Sequence, residues 1–129
     1  MKKQKIILQI IALTMIFGGV VRLLANETTF EIFKMGNLWV DDKYFIYIYR
    51  VLGAFVILIG LLFFSISKNI QKNINVLNAM KYGLILVGTI MAIAGYHIKL
   101  PFVYYFPDFI FCYAISFYLF INSVIIKRT

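Results

Sequence analysis

The sequence predicts an all-α integral membrane protein: a bundle of four transmembrane helices with a short amphipathic segment on its outer surface. Three observations carry this. Of 129 residues, 63% are hydrophobic and only 14% charged, far less charge than a soluble domain of this length holds. The apolar residues collect in four blocks, at about 6–25, 44–67, 80–98 and 107–126, each near the roughly 20 residues that cross a hydrocarbon core. All five acids lie at one set of block ends, opposite the basic clusters. Two prolines and no low-complexity tract argue for a single membrane domain over 1–129.

The segregation sets a topology. Lys2, Lys3 and Lys5 precede the first block, Lys68 and Lys72 separate the second from the third, and Lys127 and Arg128 follow the fourth. The acids Glu27, Glu31, Asp41, Asp42 and Asp108 lie at the opposite ends. Basic residues favour the cytoplasmic side, so four crossings with both termini inside satisfy every cluster. That placement accounts for the net charge of +8 without nucleic acid as a partner. Wealth in Ile, Lys, Asn, Phe and Tyr fits an AT-rich coding bias, and the expected location is a bacterial cytoplasmic membrane. Cys112 is the single cysteine, so neither an internal disulfide nor a CxxC redox pair can form.

The first block follows KKQK as a signal peptide would. Arg22 and Leu23, however, stand where a small-residue cleavage site would need to precede Ala25, so it is read as a retained helix. Gly18, Gly19 and Arg22 share one side near its outer end, where Arg22 can snorkel to the interface. From Asn26 to Lys43, Thr28-x-x-Glu31 has the form of a capping box. Phe30, Phe33, Leu38 and Trp39 then mix with charges, as in a helix lying on the outer surface with Trp39 as its anchor.

The second block carries one charge, Arg50, inside its span. By helical spacing Arg50 shares a face with Gly53, Ile57 and Gly60. The third block repeats small residues at Gly88, Ala92 and Gly95, a stripe that admits another backbone closely, and the glycine face of the second helix is its expected partner. The inner loop before it, with Ile70, Ile74 and Leu77 at helical spacing, is expected to ramp into that helix. The fourth block opens on Pro107-Asp108, read as a helix first turn. Along it Cys112, Ser116, Leu119 and Ser123 form a mildly polar stripe.

In this topology Arg22, Arg50, His97 and Asp108 fall in the outer half, with Tyr47, Tyr96 and Tyr104 at similar depth. A membrane-embedded arginine needs acceptors, and Asp108 is the expected counter-ion for Arg50. Arg50, Asp108, His97, Arg22, Tyr47 and Tyr96 are the candidate ligand-binding residues. No residue is assigned a catalytic role, because no nucleophile–base pair emerges from spacing. One histidine, one cysteine and one membrane-level acid are too few for a familiar metal site. No cofactor is implied, and no glycine-rich phosphate loop occurs.

The stretch YRVLGAFVILIGLLFF, with FGGVVRLL before it and PDFIFCYAISFYLF after it, resembles the DoxX-like group of small bacterial four-helix membrane proteins. The resemblance is architectural and covers most of the chain. It implies a four-helix bundle, with accessory-subunit or redox-linked roles suggested for some members. FGGVVR and LGAFVILIG also faintly resemble patterns of the small fluoride channels. The third block lacks their threonine- and phenylalanine-rich break, and the strong charge bias opposes a dual topology. A small multidrug transporter would need an acid within the first block, and none is there.

The function expected is non-enzymatic: an accessory subunit, or a binder of a lipid or other small amphiphile, quinone-like molecules included, in the outer half of the bundle. Its partners would be membrane lipids, a membrane subunit or a second copy of the chain. The alternatives are an anion transporter or channel drawing on Arg50, and a membrane enzyme using His97 and Asp108 on a lipid-soluble substrate. Against conduction, the inner halves offer only Thr14, Ser65, Asn122 and Ser123 as polar groups.

Overall fold

Four long apolar runs become four long helices in the computed structural model, which describes residues 2–128, with side chains through Asn122. The helices are α1 (Lys2–Leu23), α2 (Glu27–Ile32), α3 (Lys43–Lys68), α4 (Ile74–His97) and α5 (Phe102–Arg128), with a 3-10 turn at Gly36–Leu38. α1, α3, α4 and α5 are long and apolar enough to cross a membrane. The chain divides into two compact units, Lys2–Lys68 and the residues from Asn69 onward.

In the first unit α1 and α3 form an antiparallel hairpin whose backbones touch at glycines. A methyl group on Gly53 would lie 2.6 Å from the Gly19 carbonyl oxygen and 2.8 Å from the Leu23 amide nitrogen. One on Gly60 would lie 3.0 Å from the Ala12 carbonyl oxygen. Only residues without side chains permit this approach, which maximises dispersion contact along the seam. The glycine face of α3 is therefore filled by α1, and not by the Gly88–Ala92–Gly95 stripe expected from the sequence. Long helices that follow one another in the chain usually pack on each other, and the FGGVV run of α1 supplies the matching small residue in Gly19.

The connection between these helices is built on caps. Asn26 Oδ1 accepts from the Thr29 amide at 2.8 Å, and Thr29 Oγ1 accepts from the Asn26 amide at 3.0 Å. This reciprocal box lies two residues before the Thr28–Glu31 box expected from the sequence. Asn is as good an N-cap as any residue. Phe30 is buried, with its ring centroid 5.1 Å from that of Trp39 and 5.2 Å from that of Tyr49. Phe45 completes the cluster, 5.9 Å from both Trp39 and Tyr49. Trp39 is thus packed against α3 residues as part of an aromatic core. Asp42 starts α3, its Oδ1 accepting from the Tyr44 and Phe45 amides at 2.9 and 3.0 Å.

In the second unit α4 and α5 run antiparallel, and the glycine stripe of α4 receives aromatic side chains from α5. A methyl group on Gly95 would meet the Tyr105 ring at 2.5 Å, and one on Gly88 the Tyr113 ring at 3.1 Å. Tyr113 and Thr89 hydroxyls are 2.8 Å apart. Since Thr89 donates to the Ile85 carbonyl, Tyr113 is the donor. α4 begins at Ile74, one and a half turns before the predicted span, so the expected ramp is its first part. Asn75 and Asn78 sit in that helix although nothing in their type distinguishes them from loop residues. α5 begins at Phe102, leaving Pro107 inside the helix instead of at its first turn. Proline lacks the amide that would bond four residues back, so Val103 is left without that intrahelical donor. Asp108 accordingly lies beyond the first turn, where the helix dipole has little hold on it. Ser123, the last member of the predicted polar stripe, lies beyond the described side chains.

Two helix ends share an unusual solution. After α2, the Met35 amide reaches back to the Phe30 carbonyl at 2.7 Å; after α4, the Leu100 amide reaches the Gly95 carbonyl at 3.0 Å. Both are Schellman closures, and both place a lysine in the left-handed position, Lys34 and Lys99 each with φ 58°. A side chain there costs roughly 1 kcal/mol relative to glycine. Lys99→Gly is expected to raise the melting temperature in detergent measurably, whereas an unchanged or lower one would contradict this account of the turn.

Candidate functional site

A shallow, open groove of about 380 Å³ runs along the first three turns of α3. Lys43, Ile46, Tyr47, Arg50, Val51 and Ala54 line it, together with Leu23 from the end of α1. The α3 positions recur at spacings of three, four, seven and eight, the pattern of one helix face. This face borders the buried glycine face, and Arg50 stands where the two meet. It is exposed, a difference from the buried site that its shared spacing with Gly53 and Gly60 suggested. Gly53 is sealed by α1, while Arg50 projects beside that seam.

The groove combines an apolar wall with two cations. Ile46, Val51, Ala54 and Leu23 supply the wall, Tyr47 a hydroxyl, and Lys43 and Arg50 the charge. No acid lines it, and among the described residues of this hairpin nothing is hydrogen-bonded or ion-paired to Lys43 or Arg50. Lys43 and Arg50 are seven residues apart, which places their Cα atoms about 10 Å apart along the axis. Helical side chains lean toward the helix N-terminus, the direction in which Tyr47 lies from Arg50. The arrangement can hold an anionic group at two points while an attached apolar chain lies along the wall.

Arg22 does something different. It is half-buried and donates from Nη1 to the Gly18 carbonyl at 3.1 Å, folding back along its own helix over Gly18. That contact occupies a guanidinium that the sequence alone left free to snorkel outward. A second, tight cavity of about 20 Å³ lies under the connection, between Val21, Ala25, Phe30 and Tyr49. It is too small for anything beyond a water-sized guest.

The other candidates lie on the second hairpin. Tyr96 and His97 are exposed in the last turn of α4, and Asp108 is half-buried in α5. The pairing of Arg50 with Asp108 expected from the sequence would join the two hairpins. Within its own hairpin Arg50 faces no carboxylate. Of the six predicted residues, the structure gathers Arg50 and Tyr47 into one groove. No group of three His, Cys, Asp or Glu side chains able to hold a metal ion occurs among the described residues.

Sequence reasoning missed two cations. Lys43 reads as an interfacial residue, yet its seven-residue spacing from Arg50 was the available signal. Lys81 lies seven residues into α4 and is buried, at 7% exposure. Its Nζ sits 4.5 Å from the Phe120 ring centroid and 5.0 Å from that of Tyr82, with Asn78 Oδ1 at 3.4 Å. Ser116 donates to its carbonyl at 2.7 Å. Aromatic faces can hold a desolvated ammonium, so Lys81 is accommodated by packing within its own hairpin.

No protein-family model, curated protein or solved structure matches the chain.

Proposed function

We propose that this is a multi-pass membrane protein with both termini on the cytoplasmic side, its four long helices closing into one bundle. Its role is that of a non-enzymatic membrane module, an accessory subunit or carrier that binds an anionic amphiphile. The likeness to DoxX-like proteins belongs to the same proposal and concerns architecture. One observation supports the binding role above the others: the α3 groove, where two cations without partners in their own hairpin border an apolar wall.

In the proposed topology this groove opens in the outer half, with Lys43 at headgroup level and Arg50 two turns deeper. A cation at that depth costs a few kcal/mol unless it is solvated or paired. An anionic headgroup supplies the pairing, while its chains take the place of bilayer lipid along the wall. The connection from Asn26 to Lys43, held down by Phe30 and Trp39, fixes the start of α3 and with it the position of Lys43.

Native mass spectrometry of protein extracted gently from membranes tests this reading. The wild-type chain is expected to retain a small anionic amphiphile, or a partner subunit carrying one, and Arg50→Gln to lose it. A wild-type chain released bare, under conditions that preserve known lipid complexes, would contradict the proposal.

A further inference from the structure

We infer that the α3 groove is selective for a phosphomonoester lipid, a headgroup ending in a free phosphate, over singly charged amphiphiles. This rests on the amphiphile-binding reading above and narrows it. Charge and reach set the preference. Lys43 and Arg50 both line one groove of about 380 Å³; Asp41 and Asp42 precede Lys43 but do not line it, and Asp42 is turned to cap the Tyr44 and Phe45 amides. A carboxylate or a phosphodiester brings a single negative charge and would leave one of the two cations uncompensated. A phosphomonoester carries roughly −1.5 to −2 near neutral pH, with three acceptor oxygens. It can accept the paired donors of the Arg50 guanidinium on one edge and the Lys43 ammonium on another, with the Tyr47 hydroxyl between them.

The size of the groove agrees. At about 380 Å³ it lies at the low end of the range for ligand sites, roughly 300–1,000 Å³. It therefore takes the headgroup and the start of the chains. The same helical face continues through Ala54 to Leu58 and Leu61, both half exposed, at 50% and 53%. The rest of an acyl chain has an apolar track there, leading away from the cations.

The test compares four probes against purified full-length protein in detergent, read by native mass spectrometry titration. Dioleoyl phosphatidic acid is the phosphomonoester lipid, phosphatidylglycerol the singly charged diester, oleate the carboxylate, and glycerol 3-phosphate the same phosphate without chains. Phosphatidic acid is expected to bind about tenfold tighter than phosphatidylglycerol or oleate. Arg50→Gln and Lys43→Gln should each abolish that preference, and Lys5→Gln, an exposed cation at the other end of the hairpin, should keep it. The preference should also shrink between pH 7.5 and pH 5, since the second phosphate proton is taken up near pH 6. Equal binding of the three lipids, still lost in Arg50→Gln, would overturn the phosphomonoester assignment and leave amphiphile binding standing. Binding of no amphiphile that depends on Arg50 would overturn both. Glycerol 3-phosphate binding as tightly as phosphatidic acid would overturn the lipid as the source of the phosphate.

Discussion

Replacing Phe30 with alanine is expected to free the connection between α1 and α3 from the hairpin it caps. Phe30 is 6% exposed and stands at the centre of a cluster with Trp39, Phe45 and Tyr49. Truncating a buried phenylalanine costs about 3–5 kcal/mol, more than six residues of α2 can offset by their own hydrogen bonds. The loss should be local, because the glycine seam of α1 and α3 does not depend on this ring. Trp39 is the single tryptophan, so its fluorescence reports on the cluster alone. The variant should shift Trp39 emission to longer wavelength and speed amide exchange over residues 26–42, with exchange in the middle of α3 unchanged. Native-like emission would show that Trp39 is held by something other than this cluster.

The second large effect is at the seam itself. Gly53→Leu puts a side chain where the Gly19 carbonyl, the Leu23 amide and Arg22 Cβ all lie within 2.9 Å of the new Cβ. Two of those are backbone atoms, which cannot rotate aside, so the helices must separate. Overpacking of this kind costs typically 1–3 kcal/mol and here falls at the upper end. Gly83 gives the contrast, since nothing lies within 4 Å of a Cβ built on it. Gly83→Ala should be neutral or stabilising by up to about 1 kcal/mol, because alanine is the better helix former. Thermal melting of both variants in one detergent separates the two cases. Similar losses at Gly53 and Gly83 would mean that glycine matters here through something other than close approach.

The four long helices were legible because unbroken apolar runs of span length allow little else. The composition of a helix end is less decisive. Asn75 and Asn78 look like loop residues but lie in the first turns of α4, and Pro107 looks like a helix start but lies inside α5. The small-residue stripes announced close approach at Gly53, Gly60, Gly88 and Gly95, but pairing the two stripes with each other named the wrong partner for both. A stripe specifies a shape, and any smooth helix or any ring of the right size can fill it. α1 fills the first stripe, and Tyr105 and Tyr113 fill the second.

The same limit applies to the groove. Arg50 stood out as a charge inside an apolar run, and Tyr47 as its neighbour. Which side of α3 Arg50 faces was decided by α1 covering the glycine face, a tertiary fact that spacing alone could not supply. Lys43 escaped notice because a lysine at a helix start is ordinary, and it gains meaning only with Arg50 two turns away on the same face. His97, Tyr96 and Asp108 were grouped with Arg50 by depth. The structure sets them on a hairpin of their own.

The central claim, that the Lys43–Arg50 face of α3 is where an anionic amphiphile binds, is tested most directly by photo-crosslinking. A photoactivatable phosphatidic acid analogue would be added to full-length protein in lipid nanodiscs and the labelled peptides mapped. Label is expected to concentrate on residues 43–58, to be competed by unlabelled phosphatidic acid and to be lost in Arg50→Gln. Label spread over the exposed apolar positions of every helix, Leu13, Ile93 and Phe117 among them, and indifferent to Arg50, would contradict the claim.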